Sequence, residues 1–379
     1  MNTIAFFVGG GIVAPHIIED CALAVRECGL QSVLVSLQST DEELARKFAD
    51  TTPDLLVSLD AKGLDRPVIR SSGIQCVAWF VDNPFYFKEL KGLDPAGDIV
   101  CIWDAAYHED LEKEGFERVV HLPLATNPVR FHDAPLSAAE KETFEMPLSF
   151  VGTVGKHPAV FSQERKERYL PEVNRLVEKM RTCVVDTFDR KTAAAAQEVM
   201  YRTYRTFDRP LRTVIELLLD CEINAYKRWQ LLDVLTHFGG TLYGGIDGAD
   251  GTYANLKKYP SLNYLHDARK VYQGSFISLN ATRPQLRSAL NQRFFDVFSC
   301  GGFLLTDYRQ DIETLAQDYA AEICFGSNDE LIEKIVFYRG HTARRTAIGE
   351  AIKQEVRLRH TYPCRMEYLI AVARRTVKI

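Results

Sequence analysis

The sequence has few of the features that mark membrane, secreted or nucleic-acid-binding proteins. No apolar run approaches the roughly 20 residues that cross a bilayer, and the opening MNTIAFFVGGG lacks the basic segment and the length of a signal peptide. The net charge is −5 at pH 7, whereas a general nucleic-acid binder is usually basic. We therefore expect a cytoplasmic protein with no specific nucleic-acid partner.

Cysteine pairs and acidic metal-binding pairs are also missing. The nine cysteines are scattered, form no C-x-x-C pair and lie mostly in apolar runs, which favours buried free thiols over disulfides or a zinc site. No D-x-D pair follows a strand-like run, and Asp247 and Asp250 do not have that spacing. The sequence therefore predicts no bound metal ion.

The length and the patterning predict an α/β protein with two domains. A chain of 379 residues exceeds what a single core usually supports. Short apolar runs alternate with helical patterns in the first third of the chain, which is typical of a doubly wound parallel sheet. These runs are residues 4–8, 32–36, 55–59, 76–81, 98–103 and 119–122. A polar, proline-containing stretch over 127–147 is the predicted linker.

Two places in the first domain are candidate sites. Gly10 and Gly11 lie between the first strand and a helical pattern that begins at His16, so backbone N–H groups there can face an anion or a hydroxyl-rich ligand. Such turns are also common without a ligand, and this one is not G-x-G-x-x-G. Asp82 ends a later strand, where open α/β sheets bind ligands, although it can equally cap a helix that begins after Pro84.

The second domain opens on a glycine loop. Residues 149–156 read SFVGTVGK, and Arg165 follows at the start of a helical pattern. The loop is not a Walker A sequence, which needs four residues between its glycines and Ser or Thr after the lysine. Backbone N–H groups of Gly152 and Thr153, with charge from Lys156 or Arg165, are candidate phosphate contacts.

Residues 172–238 have a mostly helical pattern, which predicts a helical insertion that carries no recognisable chemistry. Its aromatic and arginine residues favour a packing face, and a dimer or acceptor surface is the alternative. The strand-like residues 241–243 then end in glycines. Tyr243 and Gly244 are candidate contacts for a nucleotide base, and ordinary packing is the alternative for Tyr243.

Residues 271–307 combine four local signals in one order: strand, loop, helix and strand. A strand is predicted over 275–280, a helix from residue 289 to Cys300, and a strand over 303–306. We expect the polar residues of this helix to lie near its exposed first turns, where free N–H groups and the helix dipole suit a diphosphate. These candidates are Asn291, Gln292, Arg293 and Asp296.

This stretch resembles a known family. Residues 291–307 read NQRFFDVFSCGGFLLTD, and FGSNDEL at 325–331 and HTYPCR at 360–365 follow. With WFVDNP at 79–84 and FVGT at 150–153, the pattern resembles the GT-B glycosyltransferases, in particular the CgeB-like branch named after a spore-coat maturation protein. The resemblance implies two Rossmann-like domains with a cleft between them. It implies an acceptor-side domain over 1–140 with a returning C-terminal helix over 360–379, and a nucleotide-sugar domain over 147–358.

The resemblance also implies roles for individual residues. Asp296 coincides with the second acid of an E-x7-E spacing and is expected to hold the donor's ribose, or alternatively to pair with Arg293 on the same helix. The first acid of that spacing falls on Ser288, which leaves retention or inversion open. For inversion, His16 and Asp82 are the candidate bases.

The expected function is metal-independent transfer of a sugar from a nucleoside diphosphate sugar, with no cofactor, to a protein, lipid-linked glycan or polysaccharide. A nucleotide-sugar epimerase or hydrolase, and a non-catalytic binding or assembly protein, are the alternatives. A homodimer stays open. The basic residues Arg365, Arg374, Arg375 and Lys378 are compatible with a weak membrane contact, although a solvated helix C-terminus that complements the helix dipole is the favoured explanation.

Overall fold

The computed structural model describes residues 1–155, 171, 209–246, 253–260 and 262–376. The chain divides into two compact units, Met1–Asn127 with Leu358–Ile379, and Pro128–Arg357. Lys156, Arg165, the aspartates at 247 and 250, and residues 172–208 of the predicted insertion lie outside the described residues. Each unit is built on one parallel sheet of six strands, so the α/β fold predicted from the sequence is confirmed.

The first unit contains strands β1 to β6 and helices α1 to α4. The strands are β1 Thr3–Val8, β2 Gln31–Ser36, β3 Leu55–Leu59, β4 Gln75–Phe80, β5 Ile99–Ile102 and β6 Val119–His121, in the spatial order β2-β1-β3-β4-β5-β6. The helices are α1 Ala14–Glu27, α2 Asp41–Thr51, α3 Pro67–Arg70 and α4 His108–Lys113. All five residues of β3 are buried, because a central parallel strand is covered on both faces.

The second unit contains strands β7 to β12 and helices α5 to α12, the last of which ends in the first unit. The strands are β7 Met146–Val151, β8 Thr241–Tyr243, β9 Lys257–Tyr259, β10 Ser275–Asn280, β11 Leu304–Asp307 and β12 Cys324–Phe325, in the spatial order β12-β11-β10-β7-β8-β9. The helices are α5 Ala138–Phe144, α6 Arg209–His237, α7 Ala268–Gly274, α8 Gln292–Ser299, α9 Asp311–Leu315, α10 Ala320–Ile323, α11 Asn328–Gly340 and α12 Thr342–Arg359. Helix α13, Tyr362–Thr376, closes the chain.

The boundary between the units lies earlier than the sequence predicts. The first unit ends at Asn127 and not near residue 140, because the segment that follows is fixed within the second unit. Ser299 on α8 donates its hydroxyl to the carbonyl of Phe131 at 3.0 Å, and Lys353 on α12 pairs with Asp133 at 2.8 Å. The predicted linker is therefore partly a packed segment.

The FGSNDEL segment is the start of a helix. It runs from the end of β12 into α11, where the hydroxyl of Ser327 accepts from the backbone N–H of Glu330 at 3.1 Å. The Glu330 carboxylate in turn accepts from the N–H of Gly326 at 2.7 Å. The side chains of Ser327 and Glu330 thus each accept from a backbone N–H at the start of the helix. This segment therefore caps the helix.

The HTYPCR segment joins the C-terminal helix to the first sheet. Arg365 is almost fully buried and donates to the carbonyls of Pro123, Leu124 and Arg359 at 2.8, 3.0 and 3.0 Å. It also donates to Nδ1 of His360 at 2.8 Å. The guanidinium therefore stabilises the fold, and the expectation that Arg365 joins a solvated basic cluster is wrong. Among the described helices, none has the length and apolarity to span a membrane.

His360 should make stability depend on pH. Burial, with the nearby Arg365, lowers the pKa of His360 to about 4 from an ordinary 6.5. The unfolded chain therefore takes up this proton first, and stability is lost as the pH falls from 6.5 towards 4, by up to about 1.4 kcal/mol per pH unit. We expect His360→Asn, whose amide oxygen can still accept from Arg365, to flatten this dependence in urea unfolding at pH 7, 5.5 and 4.5. An unchanged slope would contradict the assignment.

Candidate functional site

The order of the strands in the second unit places a crevice between β7 and β10. From β7 the chain proceeds to β8 and β9 on one side, and the later strands β10, β11 and β12 extend the sheet on the other. Loops that leave adjacent parallel strands towards opposite faces open a crevice at the carboxyl ends of those strands, and ligands bind there in open α/β sheets. The residues after Val151 and Asn280 border this crevice.

Two arginines from different helices meet beside the loop after β7. Arg293, in the first turn of α8, donates to the carbonyl of Val151 and to the side-chain oxygen of Asn280. Arg228, on α6, donates to the carbonyl of Thr153. A Cβ placed on Gly152 would lie 3.4 Å from Nη2 of Arg293 and 3.5 Å from Nη1 of Arg228. Both guanidinium groups therefore border the same glycine.

The two cations are held on a shared aromatic ring. The guanidinium carbons of Arg293 and Arg228 lie 5.2 and 5.6 Å from the centroid of the Phe150 ring. Each Nε is buried without a hydrogen-bond partner. Burial, followed by the charges of Arg293 and Arg283, lowers the pKa of Arg228 to about 9. A positive potential of this kind favours a bound anion.

Asparagine side chains complete this edge of the crevice. Asn291 is the N-cap residue of α8 and donates from Nδ2 to Oδ1 of Asn280 at 2.8 Å. Among the described residues its own Oδ1 has no partner, and its side chain makes no capping hydrogen bond to the first turn of the helix. Predicted residues Gly152, Thr153, Asn291 and Arg293 thus come together, and Gln292 turns its amide towards Asp296.

The loop after β8 closes against the same turn. Gly244 has a φ of +152°, and a Cβ there would lie 2.3 Å from the carbonyl oxygen of Gly152, so only glycine allows this approach. The backbone N–H of Gly152 donates to the carbonyl of Tyr243 at 2.9 Å. The Tyr243 ring is buried and stacks on Tyr259 with centroids 5.1 Å apart, which agrees with the packing alternative. The base contact stays a prediction for Gly244.

A buried ionic network centred on Asp307 lies at the end of β11, and it includes Lys227, the neighbour of Arg228 on α6. Asp307, at the end of β11, pairs with Lys227 at 3.1 Å and Arg309 at 3.2 Å, and accepts from the backbone N–H of Thr282 at 2.8 Å. Burial alone would raise the pKa of Asp307, but Arg309 and Lys227 hold it below its usual value. The carboxylate is therefore charged, and it fixes α6 to the end of the sheet.

Helix α6 also contributes an acidic residue. Asp220 pairs with Arg283 at 2.6 Å and accepts from the backbone N–H of Gln285 at 2.7 Å, which orders the loop after β10. Residues 209–237 of the predicted insertion thus bring Asp220, Lys227 and Arg228 to the end of the sheet. This part belongs to the crossover between the parallel strands β7 and β8, and the sequence contains no signal that Arg228 lies beside the end of β7.

Asp296 differs from its predicted environment. It was expected near the exposed first turns of its helix, but it is fully buried. Tyr264 donates its hydroxyl to Oδ2 at 2.7 Å, and Gln292 donates its amide to Oδ1 at 2.9 Å. The helix begins at Gln292 and not at residue 289, so Asp296 lies in its second turn, on the buried face. Both carboxylate oxygens therefore already accept a hydrogen bond within the unit, and the ribose role stays a prediction.

The first unit has a separate candidate edge where the loops after β1 and β3 leave its sheet. Gly10 and Gly11 are exposed, and no side chain caps α1 behind them. His16 lies in the first turn of α1, with Nδ1 3.1 Å from a carboxylate oxygen of Glu19. The glycine turn and the helix start therefore have the predicted arrangement.

Asp60 is a residue of this edge that the sequence analysis missed. It is buried directly after β3, with a φ of +54°, and its Oδ1 accepts from the backbone N–H groups of Val81 and Asp82 at 3.0 and 3.2 Å. Asp60 thus fixes the backbone at Asp82. The alternative that Asp82 caps the next helix is wrong, because Asn83 accepts from the N–H of Phe85 at 3.0 Å.

The described residues contain no group of three His, Cys, Asp or Glu side chains that could hold a metal ion. The eight cysteines within the described ranges are free, and six of them are buried, as the sequence predicts.

Comparison with known proteins shows the fold, and it shows a match to one family over part of the chain. Residues 227–371, which include Arg228 and all of α8, match a family model described as glycosyl transferase-like. No curated protein sequence matches the chain. The similarity to this family is therefore shown for residues 227–371.

The whole chain is similar to solved GT-B structures. Sucrose-phosphate synthase from Thermosynechococcus elongatus has a TM-score of 0.57 and 9% identity, over 100% of this chain and 99% of that one. T4 phage BGT in complex with its UDP-glucose substrate has a TM-score of 0.55 and 10% identity, over 98% and 99%. The same enzyme with UDP and Mn²⁺ has a TM-score of 0.54 and 11% identity, over 98% and 99%. The fold is therefore GT-B.

Proposed function

We propose that the protein transfers a sugar from a nucleoside diphosphate sugar to an acceptor, and that the second unit binds the donor. The observation that carries this proposal is the meeting of Arg228 and Arg293 at Gly152, in the crevice between β7 and β10. The glycosyl transferase-like segment supplies both arginines. Two of the solved structures of the same fold are described as complexes with UDP-glucose or UDP.

The diphosphate is the part of the donor that this site suits best. Its negative charge would meet two guanidinium groups, each with a buried Nε that has no partner among the described residues, and the N-terminus of α8, which the Asn291 side chain does not cap. Gly152 lacks the side chain that would keep a phosphate from the loop backbone. Negative charge grows on the diphosphate as the glycosidic bond breaks, so donors fixed before the reaction stabilise the leaving group.

Metal independence is part of the proposal. The two arginines supply the counter-charge for the leaving group that a divalent cation supplies elsewhere. Both are held in place by backbone carbonyls, Arg293 by Val151 and Arg228 by Thr153. Their orientation therefore does not require a metal ion.

The first unit offers the candidate bases for an inverting reaction, His16 and Asp82. Each follows a strand at the carboxyl edge of the first sheet. The imidazole has the better ordinary pKa for proton removal near neutral pH, and Asp82 has a backbone fixed by Asp60. The acceptor hydroxyl is proposed to lose its proton to one of the two.

Nucleotide binding tests the donor site. We expect UDP, or another nucleoside diphosphate, to raise the melting temperature of the wild-type protein. In calorimetry, Arg228→Gln and Arg293→Gln should each weaken binding about tenfold or more, because a hydrogen bond to a charged group contributes about 1.5 to 3 kcal/mol. Glutamine can still donate to the backbone carbonyl, which separates loss of charge from loss of structure.

The matched control is Arg344→Gln, which removes an exposed arginine that pairs with Glu322. Its nucleotide affinity should equal that of the wild type. If no nucleoside diphosphate stabilises the protein, or if all three variants bind equally well, the donor site has been assigned to the wrong residues.

Chelation tests the metal-independent mechanism. With the donor identified by thermal shift, turnover should be unchanged when EDTA is added and when Mg²⁺ or Mn²⁺ is then supplied in excess. Loss of activity in EDTA that is restored by either ion would show that the arginines are not sufficient for the leaving group.

Substitution of the two candidate bases tests the acceptor side. A general base contributes about 100-fold or more to the rate, so His16→Ala or Asp82→Asn should lower turnover by at least that factor while nucleotide affinity is retained. Near-wild-type turnover in both variants would exclude both residues as the base.

A further inference from the structure

A second cavity in the Pro128–Arg357 unit lies at the opposite edge of its sheet. It has a volume of about 700 Å³ and is bordered by the first residues of two adjacent strands, Met146 and Pro147 of β7 and Ser275 and Phe276 of β10. Small-molecule sites usually have volumes of about 300 to 1,000 Å³. Each strand is six residues long, so about 16 Å separates this cavity from the crevice beside Gly152.

This cavity contains an arginine that has no anionic partner among the described residues. The guanidinium carbon of Arg345, on α12, is 3.1 Å from the centroid of the Phe276 ring. Its Nη1 is buried with no hydrogen-bond partner. Burial lowers the pKa of Arg345 to about 10, and no carboxylate offsets that effect. An unpaired, partly buried cation is costly, so a ligand with negative charge would be stabilised here.

Further charges around the cavity favour an anion with more than one negative charge. Among the described residues, the lining contains the cations Arg345, Arg339 and Lys141 and a single carboxylate, Glu145. Arg339 lies with its guanidinium carbon 5.9 Å from the Phe238 ring centroid. One carboxylate on a ligand would leave positive charge uncompensated, whereas a phosphate monoester carries about −1.5 to −2 at neutral pH.

We propose that this cavity is a second anion site, which binds a small molecule bearing a phosphate group. Arg345 holds the phosphate with its face on Phe276 and its free N–H groups directed to the ligand oxygens, and Arg339 and Lys141 add charge at the rim. The apolar residues Pro135, Leu136 and Met146 accept the carbon part of the ligand. This proposal does not depend on glycosyl transfer, since the donor crevice uses different residues.

The test observes Arg345 directly while inorganic phosphate is added. In the ¹⁵N-labelled full-length protein, the Nε–Hε signal of Arg345 is assigned by its absence in Arg345→Lys. The titration is run in a buffer without phosphate and at constant ionic strength, with acetate as a monovalent comparison. Arg344, the neighbour on the same helix that pairs with Glu322, provides an internal control signal.

We expect the Arg345 signal to shift and saturate with phosphate, with at least about tenfold weaker binding of acetate and an unchanged Arg344 signal. The Arg345 signal should give the same phosphate titration curve in Arg228→Gln. This result would exclude the donor crevice as the source of the response. Arg339→Gln should weaken the binding about tenfold. The proposal is overturned if the Arg345 signal does not saturate with phosphate, or if the Arg344 signal shifts with the same phosphate dependence. It is also overturned if Arg228→Gln abolishes the shift of the Arg345 signal.

Discussion

The second unit depends on one buried carboxylate. Asp307 is 1% exposed at the carboxyl end of β11, where an uncompensated charge would cost several kcal/mol, so the chain has to bring donors to it. Lys227, Arg309 and the backbone of Thr282 meet this requirement from three different segments. The ion pair therefore specifies how α6, the loop after β10 and the end of β11 fit together.

This constraint also determines where the neighbouring cation can lie. Arg228 follows Lys227 on α6, and successive helical residues point in directions about 100° apart. With Lys227 directed to Asp307, Arg228 reaches the carbonyl of Thr153 on the other side. The ion pair between Lys227 and Asp307 thus positions Arg228, the cation proposed to bind the donor. Removal of Asp307 or Lys227 would therefore disturb the donor crevice, although neither residue is proposed to contact the donor.

The sequence predicts those parts of the structure whose signals are local. The strand over 275–280 and the helix stop at Cys300 were predictable because an apolar run, helical spacing and a Gly-Gly pair all lie within 30 residues. Arg228 was not predictable, because a helical pattern does not show which strand ends lie beside it. The burial of Asp296 depends on Tyr264, which is 32 residues away in the chain.

Asp60 shows the same limit in the first unit. Nothing near it in the sequence indicates that its carboxylate binds the backbone of residues 81 and 82, because that contact exists only after β3 and β4 pair. The motif at 79–84 therefore indicates Asp82. The residue that fixes the backbone of Asp82 follows the adjacent strand β3. Parallel pairing brings strand ends together, so such contacts follow from the sheet order.

The charges at the two sheet edges differ in sign, and this difference suits a division of roles. The edge of the second sheet presents Arg228 and Arg293, whose charge suits the proposed diphosphate of the donor. The edge of the first sheet carries Asp82 and Asp104 after β4 and β5, and Asp60 after β3, which pairs with Lys62 at 3.0 Å. Carboxylates repel a diphosphate but accept protons and hydrogen bonds from hydroxyl groups. An acceptor that reacts through a hydroxyl is therefore the substrate expected at the first unit, and the nucleotide at the second.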